Sequence, residues 1–169
     1  GPPPGEFANW GPDDWQSALD ANLLAPTFMI QGVIEGMKER RFGRIVNITS
    51  AMVKSPHAAL GLSTAARSGL TALCKGLSNE AVAYNVTINN LLPERFDTDR
   101  QKFMANVLKE RQGLTFEQAR EAIAGTINAK RFGQPEEFGD ACAYLCSAQA
   151  GFISGQNLQL DGGSYAGLI

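Results

Sequence analysis

The run Gly43-Arg44-Ile45-Val46-Asn47-Ile48-Thr49-Ser50 reads as a strand that ends in two hydroxyls, groups able both to donate and to accept hydrogen bonds. A few residues on stands His57, the only histidine, whose ordinary pKa suits proton transfer. As a loop residue without an identified partner, it could equally be an exposed side chain. The cysteines are Cys74, Cys142 and Cys146. Cys142 and Cys146 stand at helical i,i+4 spacing, which could set two metal ligands side by side. No further Cys or His lies near them in sequence, so the expectation is core packing, reduced thiols and no metal. Among the 18 glycines none forms the strand–Gly-x-Gly-x-x-Gly–helix arrangement that cradles a dinucleotide pyrophosphate.

These groups have to be positioned by a regular alternation of elements. After the proline-rich loop at Gly1-Pro2-Pro3-Pro4-Gly5, Asp13 or Asp14 can cap a helix. Its apolar stripe, from Trp15, Leu19 and Leu23 to Phe28, Met29, Val33, Ile34 and Met37, predicts a helix over about 13–38. A second helix is expected over 60–84, with Leu70, Leu73 and Leu77 on one side. The next strand is Asn85-Val86-Thr87-Ile88-Asn89-Asn90-Leu91-Leu92-Pro93. A polar helical stretch covers 100–130, its charges read as a solvated face rather than a binding tract. A third long helix starts at Pro135-Glu136-Glu137, and Gln156-Asn157-Leu158-Gln159-Leu160 is a last short strand. Strands separated by long helices imply parallel crossovers, hence an α/β fold with a covered parallel sheet. Only three strands are found, whereas a doubly wound sheet usually has more. The expectation is therefore that residues 1–169 form one part of a larger sheet.

With 169 residues, 44% hydrophobic and 19% charged, the chain has the composition of a folded domain. A net charge of -2 gives no electrostatic case for nucleic acid or an anionic membrane as the main partner. No apolar run approaches the length of a membrane helix, and the first residues carry no signal-peptide pattern. A cytoplasmic setting is expected.

Four separated segments, in order along nearly the whole chain, resemble the second half of a short-chain dehydrogenase/reductase, in particular the 3-oxoacyl-carrier-protein reductases. They are Asp20-Ala21-Asn22-Leu23; Gly43-Arg44-Ile45-Val46-Asn47-Ile48-Thr49-Ser50; Arg131-Phe132-Gly133-Gln134-Pro135-Glu136-Glu137; and Ile153-Ser154-Gly155-Gln156-Asn157-Leu158-Gln159-Leu160-Asp161-Gly162-Gly163. The resemblance implies the C-terminal half of a Rossmann-type doubly wound parallel sheet, with a helical substrate lobe at about 96–130. It implies that the glycine-rich nucleotide-binding half lies upstream.

It also implies a site. In such proteins a serine polarises a carbonyl, a tyrosine phenol moves the proton, a lysine lowers the phenol's pKa and holds the cofactor ribose, and an asparagine keeps a relay water. The pattern Ser-x12-Tyr-x3-Lys, counted from Ser50, puts Ser63 at the tyrosine and Arg67 at the lysine, with Asn22 as the asparagine. The distance back from Pro93 agrees. Register excludes Tyr84, Tyr144 and Tyr165 as substitutes. An aliphatic alcohol is a poorer general acid than a phenol, and a guanidinium stays protonated while forking onto hydroxyls. The pair therefore suits dinucleotide binding better than turnover. Ser63 and Arg67 could also be ordinary helix residues, one packed and one solvated. Pro93-Glu94-Arg95-Phe96-Asp97-Thr98 resembles the turn beside the nicotinamide, with Pro93 and Thr98 as cofactor contacts and Glu94 in place of a glycine. The implied activity is oxidoreduction with NAD or NADP, on a hydroxyl/ketone pair in a small-molecule or acyl-carried substrate. The alternative is a catalytically silent member that binds nucleotide or partners an active relative. Either would be a homodimer or homotetramer, with the helices at 13–38 and 60–84 meeting their copies through Leu23, Phe28, Leu70 and Leu77.

Overall fold

The computed structural model describes residues 1–168. In chain order it contains α1 (Pro12–Leu19), α2 (Ala25–Glu39), β1 (Gly43–Ile48), α3 (Gly61–Ala81), β2 (Val86–Pro93), α4 (Asp99–Gln112), α5 (Phe116–Gly125), α6 (Pro135–Cys146) and β3 (Asn157–Leu160). The strands form one parallel sheet in the order β1-β2-β3.

β2 is the centre of the molecule. Every residue from Val86 to Leu92 is buried, the continuous burial of a parallel strand covered on both faces. Ile88 joins Ile30, Ile34, Ile45, Leu70 and Cys74 in the core beneath α2 and α3. Leu91 packs with Leu145 and Ala150 under α6 on the other face. Three of the buried β2 residues, Thr87, Asn89 and Asn90, are polar, and both amides are hydrogen-bonded. Asn47, Asn90 and Asn157 are register partners on successive strands. Asn47 Nδ2 donates to Asn90 Oδ1 at 3.2 Å, and Asn90 Nδ2 donates to Asn157 Oδ1 at 2.8 Å. Asn89 clasps the chain leading into β3, donating to the Ile153 carbonyl at 2.8 Å and accepting from the Gln156 N–H at 3.0 Å.

Several boundaries differ from the sequence reading. The first helix is interrupted at Asp20–Leu24 by a π-helical turn. Pro26, at the start of α2, has no N–H to donate to a carbonyl of the preceding turn, and its ring needs room there, which widens the backbone. Gly11 rather than Asp13 or Asp14 is the N-cap; Asp14 accepts the Gly11 N–H at 2.9 Å from inside the helix. The polar stretch is two helices, because Gly113 adopts φ +66° and ends α4. α4 and α5 enclose a small core of their own, built from Ala105, Ala119, Ile123, Ile127 and Phe132. Of the cysteines only Cys74 sits in the main core; Cys142 packs against the core under α6, and Cys146, the last residue of that helix, is exposed. Leu70 is buried in its own chain's core, with Leu23 and Leu77 against it, so Phe28, Met29 and Val33 are the apolar residues α2 leaves exposed.

The asparagine ladder predicts a specific sensitivity. Asn90→Ala leaves the Asn47 and Asn157 amides without their partner inside the sheet. Unfolding by urea should then show a stability loss of about 1–3 kcal/mol. A change near zero would mean that the ladder contributes nothing net.

Candidate active site

The predicted site residues come from three local devices. The π turn carries Asn22, which is buried and donates from Nδ2 to the Ala18 carbonyl at 3.0 Å. Wide turns of this kind occur mostly where function needs them. Ser50 follows the last residue pair of β1 and starts the single turn Ala51–Val53, its Oγ accepting the Met52 N–H at 3.2 Å. α3 packs against both of these segments and supplies Ser63 and Arg67 from its first two turns.

Ser63 is buried and Arg67 half-buried, and Arg67 Nη1 donates to Ser63 Oγ one helical turn back. The two are therefore neither independent nor merely surface residues. Because its oxygen accepts from a cation, the Ser63 proton is free for another acceptor. Burial, and then the positive charge of Arg100, push the Arg67 guanidinium below its ordinary pKa. A Cβ built on Gly1 would lie 3.6 Å from Arg67 Nη2 and 3.9 Å from Asn22 Oδ1, so these side chains face the same space. Asn22, Ser63 and Arg67 are thus brought together, with Ser50 joined to them through the packing of α3.

Pro93 ends β2, and Thr98 is the N-cap residue of α4; it is exposed, and its hydroxyl is not used for capping. Neither makes a hydrogen bond to Asn22, Ser50, Ser63 or Arg67 among the described residues. Glu94, at the position where the resembled pattern has a glycine, is half-buried. With Arg95, Arg131, Glu137 and Asp161 it lines a separate cavity of about 150 Å³ that includes none of the predicted site residues. Its carboxylate lies 3.6 Å from Arg95 Nε, and its N–H donates to the Leu160 carbonyl at 2.9 Å. Arg95 itself takes φ +60°. His57 is exposed and accepts the Ala59 N–H through Nδ1 at 3.3 Å, so it has a backbone partner the sequence did not disclose.

Two further groups escaped the sequence reading. Arg120 forks onto Asp97 with bonds of 3.0 and 2.8 Å, tying α5 to the loop between β2 and α4. Arg100, in the first turn of α4, is near enough to Arg67 for its charge to be felt there. Its place two residues after Thr98 was the available signal. The same loop is held from below, where the Asp97 N–H donates to the Gly133 carbonyl at 2.8 Å. The turn that contains Gly133 is anchored by Arg131, which grips Glu137 through both oxygens at 2.7 and 2.6 Å.

In sequence and fold the chain is similar to known reductases. The family model described as enoyl-(acyl carrier protein) reductase matches residues 2–165. The chain is 33% identical over 162 residues to the NADPH-dependent reductase BacG of Bacillus subtilis (strain 168), a match covering 95% of this chain and 62% of that protein. It is 32% identical over 154 residues to acetoacetyl-CoA reductase of Cupriavidus necator, covering 91% and 58%. Among solved structures, YwfH, an NADPH-dependent reductase involved in bacilysin biosynthesis, superposes with a TM-score of 0.90 at 32% identity, over 99% of this chain and 65% of that one. Actinorhodin polyketide ketoreductase superposes with a TM-score of 0.87 at 26% identity, over 97% and 64%. The chain spans about three-fifths of the length of the curated relatives it matches.

The anchor beneath the site has a measurable signature. Arg131 first, then the Gln134 N–H, hold the Glu137 carboxyl down to about 2. A depressed carboxyl stabilises the folded state fully above its ordinary value of 4.5, and that contribution fades as pH falls toward about 2. An NMR titration should find the Glu137 midpoint near the lower value, rising in Arg131→Ala. An identical midpoint in both proteins would remove Arg131 as the cause.

Proposed function

The chain belongs to the short-chain dehydrogenase/reductase family, and from that membership we propose that it forms the catalytic part of an NAD(P)H-dependent reductase of ketones, with Ser63 and Arg67 as its proton-delivering pair. The observation that carries the reading is the Arg67–Ser63 hydrogen bond, inside a cleft also faced by Asn22. The residues present fit a nicotinamide dinucleotide. Arg67 offers guanidinium N–H groups with no carboxylate partner among the described residues, and the Thr98 hydroxyl is left open. When bound, the reduced nicotinamide supplies a hydride to the carbonyl carbon.

The protein's own part is to hold and protonate the carbonyl oxygen. Ser50, at the strand end, donates to that oxygen and orients it. Ser63 gives its proton to the same oxygen, and the charge left on Oγ is stabilised by the Arg67 donor beside it. Asn22 keeps a water in line to reprotonate Ser63. Arg67 would hold the ribose of the cofactor and Thr98 its carboxamide, with Pro93 as a further contact. An aliphatic alcohol is a weak acid even next to a cation, so turnover is slow relative to a phenol, by about 10²–10⁴ in rate. Substrates are small or acyl-carried ketones. The protein works in the cytoplasm, in keeping with its free cysteines, as a homodimer or homotetramer, with Phe28, Met29 and Val33 of α2 as its apolar contact. The lobe at about 96–130 closes over the substrate.

The proposal predicts that the protein oxidises reduced nicotinamide slowly in the presence of simple ketones. Ser63→Tyr combined with Arg67→Lys should raise the rate, and Ser50→Ala should abolish it. The check is the loss of nicotinamide absorbance for parent and variants. A brisk parent indifferent to Ser50→Ala would place the site elsewhere.

A further inference from the structure

We propose that Cys142 and Cys146 form a dithiol site for a trivalent organoarsenical, whose arsenic bridges the two sulfurs. The site uses none of the residues of the reductase reading and stands without it. α6 ends on Cys146, so the two cysteines lie one turn apart on an unbroken helix. Residues at this spacing are neighbours, with Cβ atoms about 5–6 Å apart, and the later side chain leans back toward the earlier one. Cys146 is exposed, whereas Cys142 is half-buried against Leu91, Leu145 and Ala150. A reagent therefore enters through Cys146 and finds the second thiol beside it.

The surroundings decide what the pair takes. A direct disulfide needs Cβ atoms about 3.5–4.5 Å apart, closer than the helix holds them, so an atom between the sulfurs suits the gap better than none. Zinc wants four ligands, and no group of three or more His, Cys, Asp or Glu placed to hold a metal occurs among the described residues. A cuprous ion is content with two thiolates, but that complex keeps a negative charge. It would sit against apolar side chains and at a helix C-terminus, where the dipole disfavours anions. The Cys142 thiol shows the same resistance to charge: burial first, then the neighbouring Cys146, push it above its ordinary range. An arsenoxide, R–As=O, avoids the charge. Two As–S bonds form, the As=O bond breaks, and the two thiol protons leave with the oxygen as water. Arsenic stays trivalent and the adduct is neutral. Cys74 does not compete, because it is buried, its sulfur accepts from Asn47 Nδ2 at 3.2 Å, and burial pushes its thiol up to about 11.

The probe is phenylarsine oxide, titrated into the full native protein with glutathione present as a competing monothiol, and the intact mass is read. The expected product carries one phenylarsenic group, gained with loss of one water and removed by 2,3-dimercaptopropanol. Cys142→Ser and Cys146→Ser should each weaken binding by about 10²–10⁴-fold, through loss of the second sulfur's effective concentration. Cys146 is exposed, so its variant tests the pair without disturbing the core. Cys74→Ser should bind as the parent does. A native protein that takes no adduct overturns the proposal, as does an adduct that either single variant binds within about tenfold of the parent. Loss of the adduct in Cys74→Ser overturns it too. So does a Cys142–Cys146 disulfide, seen as a loss of two hydrogens in air before any reagent is added.

Discussion

The register of the sheet is the constraint on which the site depends, and the asparagine ladder is what makes that register hard to change. In a strand buried on both faces, apolar residues tolerate a slip, since one branched side chain packs much like the next. A buried amide does not, because a displaced Asn90 loses both Asn47 and Asn157 at the full cost of unpaired polar groups. Fixing Asn47 opposite Asn90 also fixes Ile48 opposite Leu91, and so sets where Ser50 leaves β1 relative to Pro93 at the end of β2. The Ser50 hydroxyl and the loop that follows Pro93 are thereby held at one level.

From that level the helices complete the cleft. The π turn aims Asn22 inward while α2 continues in nearly the same direction, so one helical unit serves both the core, through Ile30 and Ile34, and the site. α3 runs along the sheet with Leu70 and Cys74 in the core and the buried Ser63 and half-buried Arg67 at its start. Ser63 and Arg67 are bonded to each other, so the start of α3 carries a connected polar unit.

The order of strands and helices was legible because continuous apolar runs and helical stripes are separated by Gly, Pro and Asn. Isolated features that depend on a backbone detail were not. The π turn follows from Pro26 acting on the turn before it, which apolar periodicity does not register. The division of the polar stretch hung on Gly113 adopting a left-handed conformation among charged neighbours. Ser50, Ser63, Arg67 and Asn22 were singled out by their resemblance to a family pattern, whereas the packing of α3 on the π turn was not legible, since that approach exists only in three dimensions. Leu70 misled for the same reason: a helix stripe shows that a face is buried, not whether its own sheet or a second copy does the burying.

The central claim is that proton delivery rests on a serine held by an arginine. Neither group titrates over about pH 6–9, whereas a phenol beside a cation or a histidine would. The pH dependence of kcat/KM for ketone reduction by the full protein tests this most directly. A flat profile across that range is the result the account predicts. A clear ionisation within it, surviving in Ser63→Ala, would contradict the account and hand the proton to another residue.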